Sequence, residues 1–329
     1  MSRHDPGVPL LRLLRAESRK LRRPLTYWTA TAVTVISCFL LWGGQVNSVV
    51  TNPPPGSPGL QYEPIPSCTD LRLPPGHECS QGQRYVREAN ERARRQALAA
   101  SRLAKAGQQP LGVGRFAAGL LASLVGAGAV MLLAGGHVGG EWTGRTIRSI
   151  LVQDGRRARV LMAKVASLFL AGCAMLLVTW AALAITTPLL AMKYGNPTVE
   201  VSTINAAATA FVQAARALLV LGVFSFLGVA AAVLTRNTLG TIFLGFGVIL
   251  LSQVLVGVPV MARWSPAYWV TGWMGFRSAN VPADYLWSVK PAAGVPPPTV
   301  TFGLVALLLF IGIAGAASWY AFLRSDVTA

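Results

Sequence analysis

Residues 137–164 read HVGGEWTGRTIRSILVQDGRRARVLMAK, an Arg-rich insert between two apolar stretches that are each long enough to cross a bilayer. Trp142, Ile147, Ile150 and Leu151 interleave there with Arg145, Arg148, Arg156 and Arg157. Guanidinium groups offer forked donors to carboxylates and phosphates, while apolar side chains beside them can fill a hydrophobic pocket. That combination recognises and holds a surface; it does not make or break bonds. By composition alone the insert reads as an interfacial helix among anionic headgroups, or as a docking helix offered to a protein.

Bond-making chemistry is missing. The sequence has no Gly-x-x-x-x-Gly-Lys-Ser/Thr loop for nucleotide phosphates, no His-Glu-x-x-His pair for zinc, and no Gly-x-Ser-x-Gly turn for a nucleophilic serine. The apolar stretches hold no paired carboxylates of the kind that carry protons across a membrane. Arg216, the one charge near a span interior, is expected to snorkel at the outer end of its helix; Gln213 and Gln253 read as interhelical hydrogen-bond partners. The chain is therefore not expected to be an enzyme, and uphill work must draw its energy from another subunit. Cys38 and Cys173 lie in apolar stretches and read as small hydrophobes. Cys68 and Cys79 lie in a polar loop, where they form a disulfide if the loop faces an oxidising compartment and otherwise stay as free thiols. His77 alone does not complete a zinc set.

These residues are positioned by a membrane scaffold. Of 329 residues 53% are hydrophobic and only 12% charged, and the mean hydropathy is +0.50. A soluble chain carries roughly twice that charge fraction. The expected fold class is an all-α polytopic membrane protein with six transmembrane helices and both termini cytoplasmic. A net charge of +17 would point to nucleic acid in a soluble protein. Here much of it falls in two short segments beside spans, so anionic lipids are the expected partner and nucleic acid is not.

In chain order, residues 1–25 form a cytoplasmic amphipathic helix in which Leu10, Leu11, Leu14 and Leu21 lie largely on one face. Pro24 precedes span one (26–43), with Tyr27, Trp28 and Trp42 marking its interfaces; no small-x-small cleavage site follows, so the span is expected to be retained as an anchor. A long polar insert, 44–112, is Pro-rich at first and carries a surface helix over 82–106. Span two (114–136) is built on Gly119, Ala122, Gly126, Gly128, Gly135 and Gly136, small residues that allow close helix packing in lipid. The Arg-rich loop is 137–159, and span three (160–187) ends near Pro188. Span four (211–234) joins span five (238–260) through a tight Thr235-Arg236-Asn237 link. Residues 261–298 are aromatic and Pro-rich, suited to short interfacial helices, and span six is 299–322. Placing the N-terminus inside puts the basic segments, Arg236 and Arg324 in the cytoplasm and leaves the 188–210 and 261–298 loops outside.

Three stretches resemble the membrane subunits of type-2 ABC exporters, the bacterial permeases that work with a separate ATPase. They are Leu14-Arg15-Ala16-Glu17-Ser18-Arg19-Lys20-Leu21 before span one, Gly140-Glu141-Trp142 with Thr146-Ile147-Arg148 after span two, and Gln153-Asp154-Gly155-Arg156-Arg157 with Lys164 leading into span three. The resemblance implies that the N-terminal helix is an elbow helix. It also implies that Glu141, Trp142, Arg145, Thr146, Ile147, Arg148, Ile150 and Leu151 form a coupling helix seated in a cleft on the ATPase. Ile147, Ile150 and Leu151 would fill that cleft, and Glu141 would pair with a basic elbow residue such as Arg19 or Arg22. The implied partners are ABC ATPase subunits, which would bind ATP and Mg, and a second copy of this chain or a related permease. No cofactor is expected in this chain. The implied setting is a bacterial plasma membrane, and the implied cargo an amphipathic drug, antibiotic peptide or lipid. The other reading open at this point is a membrane anchor or assembly protein that holds a cytosolic partner through the Arg-rich loop without transport.

Overall fold

A computed structural model of the chain describes residues 10–22, 25–51, 79–147, 157–194, 200–275, 295–296 and 298–324. Among them there is no strand, and six helices are long and apolar enough to cross a membrane. The makeup is that of a multi-pass membrane protein. In order, the helices are α1 (Leu10–Arg22), α2 (Leu25–Thr51), α3 (Cys79–Gly107), α4 (Gly114–Leu121), α5 (Leu124–Ala134) and α6 (Gly140–Thr143). They continue with α7 (Arg157–Tyr194), α8 (Thr203–Thr235), α9 (Thr238–Val256), α10 (Pro266–Met274) and α11 (Val300–Arg324).

Helix α8 is the hub, packing against α4, α5, α7, α9 and α11. By contrast α9 and α11 leave Phe243, Leu251, Val254, Leu309 and Ile313 uncovered. Water would make such faces costly, but lipid tails solvate them as well as another helix would.

Local sequence sets the helix boundaries. The apolar run expected as one span over 114–136 is broken, because α4 stops at Leu121 and Ser123 caps a new helix by accepting a hydrogen bond from Val125 N. The stretch long and apolar enough to cross a membrane is Leu124–Thr143, which runs into the region expected to be loop. A π-helical turn, Gly135–Gly139, joins α5 to α6. Glycine is needed there for close approach: a Cβ on Gly135 would lie 2.6 Å from Ile242 Cγ1, and one on Gly139 would lie 2.9 Å from both Asn237 O and Thr241 Oγ1. Span two thus lies directly against the start of α9.

Other boundaries also depart from expectation. Pro188 does not end the third span, whose helix continues to Tyr194. At the α8–α9 link Arg236 adopts a left-handed conformation (φ 54°) and Asn237 caps α9 through Gly240 N. Within the aromatic region Ser265 caps α10 and Pro266 opens it. Trp42, expected at an interface, is fully buried and donates from Nε1 to Gly107 O at 3.1 Å, tying α2 to the end of α3. Arg216 lies well inside α8, where its Nη1 donates to Met274 O at 3.2 Å and Gln213 Nε2 donates to the same carbonyl at 3.1 Å.

Candidate functional site: an ionic cluster under the Arg-rich loop

Described residues from each of the three stretches singled out in the sequence meet in space. Helix α1 supplies Glu17 and Lys20, the end of span two supplies His137 and Glu141, and the first turns of α7 supply Lys164. Lys164 Nζ contacts Glu141 Oε2 directly and lies 3.4 Å from Glu17 Oε2. Lys20 Nζ lies 3.2 Å from a carboxylate oxygen of each glutamate, and His137 Nε2 is 3.0 Å from Glu17 Oε2. Glu17 and Lys164 are each only 2% exposed, whereas the Lys20 side chain is 48% exposed at the rim.

Each side chain arrives there for a local reason. Glu17 and Lys20 are three residues apart on α1 and share a face. His137 sits inside the π-helical turn and Glu141 in the helix that follows it, so the widened turn sets the register that brings both to Glu17. Lys164 lies two turns into α7, which packs closely against α1.

Electrostatics hold the group together. Burial alone would push the Glu17 carboxyl up, but the His137 imidazole and the Lys164 and Lys20 ammonium groups outweigh it and bring it down to about 2, against an ordinary 4.5. For Lys20, desolvation acts downward, yet Glu141 and Glu17 together raise it above its ordinary value. Glu17, His137 and Glu141 bring their ligand atoms within 4.8 Å of one another, a spacing a metal ion could use. Two ammonium groups already face the two carboxylates, however, and a divalent cation would have to displace them. The arrangement is an ionic clamp joining three elements.

The clamp continues sideways. Trp142 meets Phe322 edge-on at 6.3 Å and carries the Arg236 guanidinium over its face at 5.5 Å. Arg157 Nη1 donates to Phe322 O at 3.4 Å. The end of span two is therefore fastened to α1, to α7, to the α8–α9 link and to the end of α11.

The residues expected to dock a partner divide. Glu141 is buried and pairs with Lys20 and Lys164, not with Arg19; the Arg22 side chain is not among those described. Trp142 is turned onto Phe322. Ile147, expected to fill a partner's pocket, is only 3% exposed and sits inside this chain. Arg145 and Thr146 are exposed, Arg145 in a left-handed conformation (φ 57°) just past Gly144. Arg148, Ile150 and Leu151 lie outside the described residues, as does Cys68; Cys79 opens α3, but its side chain is not among those described. The sequence reading passed over His137 and the direct role of Lys20. The usable signals were the Glu17-x-x-Lys20 spacing and a histidine four residues before Glu141.

Fold and site together define a multi-pass helical membrane protein with a buried ionic clamp at one end of its bundle. No protein-family model matches the chain, nor does any curated protein sequence or solved structure.

Proposed function

We propose that this chain is the permease subunit of a two-component, ATP-driven ABC exporter in a bacterial plasma membrane, with both termini cytoplasmic. In this reading α1 is the elbow helix, and the segment that starts at Glu141 and runs through the Arg-rich loop is the coupling element. A separate ATPase pair binds ATP and Mg. A second copy of the chain, or a related permease, completes the path for an amphipathic cargo.

One observation carries the reading: the end of span two is fastened to four other elements by Glu17, Lys20, Lys164, Phe322 and Arg236. A push on the loop cannot be absorbed locally and must move α1, α7 and the end of α11 with it. Buried packed groups transmit displacement because they do not deform continuously. Exposed Arg145 and Thr146 supply part of the surface that takes the push, while buried Ile147 serves as the internal footing of the loop.

The test is a pull-down of the tagged full-length protein in mild detergent, comparing wild type with Arg145→Glu, Arg148→Glu. Co-purification of a P-loop ATPase with wild type, lost in the variant, is the expected result. Absence of any ATPase from wild-type preparations overturns the proposal.

A further inference from the structure

A groove of about 450 Å³ opens between α1, α2 and α7, lined by Ser18, Tyr27, Trp28, Ser167, Leu170 and Ala174 among others. Its character changes along its length. At the α1 end stand two hydroxyls: Ser167 donates to Lys164 O at 2.9 Å, and Ser18 has no protein hydrogen bond among the described residues. One and two turns further along α7 the wall becomes Leu170 and Ala174, faced by Trp28. Trp28 is 60% exposed and Leu170 45% exposed, so the apolar end is left for something apolar to cover.

Charge identifies the occupant's other end. Arg15 and Arg19 are exposed and make no ion pair among the described residues. Three residues before Ser18, Arg15 lies about 60° round α1 from it, and Arg19, one residue after, lies about 100° round; both point away from the buried Glu17 face. Exposed guanidinium groups near a hydroxyl suit a phosphate, and the aromatic pair Tyr27 and Trp28 suits the headgroup level of a bilayer.

We infer that this groove holds one anionic glycerophospholipid. Its phosphate sits at Ser18 within reach of Arg15, with Arg19 adding positive charge beyond it, and one acyl chain runs along Trp28, Leu170 and Ala174. Ser18 adjoins Glu17, and Ser167 lies one turn from Lys164, so the lipid bridges the same two helices that the ionic clamp joins. Bound lipid therefore helps to seat α1 on α7. The inference stands apart from the transport reading and needs only a membrane with anionic lipid.

The experiment is native mass spectrometry of the full-length protein, delipidated and then given equal amounts of phosphatidylglycerol and phosphatidylcholine. Wild type is expected to retain one phosphatidylglycerol in preference to phosphatidylcholine by roughly tenfold or more, since each basic side chain near a headgroup strengthens binding several-fold. Arg15→Gln, Arg19→Gln should bring the two lipids to parity at that site, and Ala174→Trp, which fills the apolar end, should remove both. The arginine pair changes only exposed side chains and decides the matter even if Ala174→Trp fails to fold. Equal retention of the two lipids by wild type, a preference that survives the arginine changes, or undiminished phosphatidylglycerol retention by a folded Ala174→Trp would each overturn the inference.

Discussion

Neutralising Glu17 puts the ionic clamp to its most direct trial. In wild type two carboxylates face two ammonium groups; Glu17→Gln leaves Lys20 and Lys164 facing Glu141 alone. Two routes give the cost. Removing one partner of a buried ion pair typically costs about 3–5 kcal/mol, because the other charge stays desolvated. Independently, holding the Glu17 carboxyl at about 2 instead of 4.5 favours its ionised form by roughly 3 kcal/mol, at about 1.36 kcal/mol per pH unit. Glu141 still contacts Lys164, so the lower figure applies, and Glu17→Gln should destabilise the protein by about 3 kcal/mol. Lys164→Met should cost about as much. Lys20→Met should cost under about 1 kcal/mol, since its side chain is half in solvent. Combining Glu17→Gln with Lys164→Met restores charge parity, so the double variant should fall short of the sum of the singles by about 2 kcal/mol. Reversible denaturant unfolding of the full chain in mixed micelles reads all four variants. Additivity within about 0.5 kcal/mol, or a Lys20→Met cost equal to that of Lys164→Met, would refute the clamp.

The same carboxyl sets an acid limit. Its folded value is depressed, so its stabilisation is complete above pH 4.5 and is lost as pH falls toward about 2; wild-type unfolding should show that slope and Glu17→Gln should lack it. Lys20 has the opposite sign: its contribution is full below its ordinary 10.5 and fades only as pH rises beyond that. Gly139→Leu should cost about 1–3 kcal/mol by overpacking, since its Cβ would meet Asn237 O and Thr241 Oγ1 at 2.9 Å and the backbone oxygen cannot step aside; thermal unfolding checks it. Trp142→Ala removes both the Phe322 contact and the Arg236 cation–π contact and should cost about 2–3 kcal/mol, with Trp142→Phe losing roughly half as much. If Cys68 and Cys79 are bridged, a non-reducing digest of protein from intact cells yields the linked peptides, and two freely alkylated thiols would exclude the bridge.

Apolar length was legible in the sequence, and charge placement inside the apolar runs was not. A run of about twenty uncharged residues has one economical conformation in lipid, since every backbone group must be satisfied within the segment. Six such helices follow from composition alone. The break at Ala122–Ser123 escaped that reading because the sequence around it stays apolar; a single serine hydroxyl accepting from Val125 N decides where the new helix begins. The end of span two escaped for the opposite reason. His137 and Glu141 look like loop residues until their partners are known, and those of Glu141 are 121 residues away on α1 and 23 residues away on α7. Glu141 was legible as a residue in search of a cation, but the choice of Lys20 and Lys164 over Arg19 depends on which face α1 presents to α7. The burial of Ile147 was not legible because an apolar residue among arginines carries no mark of whether it faces its own chain or another.

An ionic seam at this position does something an apolar one cannot. In water a leucine-lined α1 would be held to the bundle by the cost of exposing it, whereas at a membrane surface the acyl region offers the same leucines an equally good solvent. Apolar contact alone would therefore leave α1 free to choose between the bundle and the lipid, and to slide in register while docked. Glu17 removes both freedoms. Its carboxylate, almost completely buried, reaches His137 and Lys164 in one register only, and displacement by a full turn would leave it buried without its partners and Lys164 with Glu141 alone, which is the costly outcome. The opposed charges in turn let span two carry His137 and Glu141 at its end without a desolvation penalty large enough to unwind it. The loop beyond Glu141 thus starts from a fixed point, and whatever binds Arg145 and the residues after it acts on a rigid base.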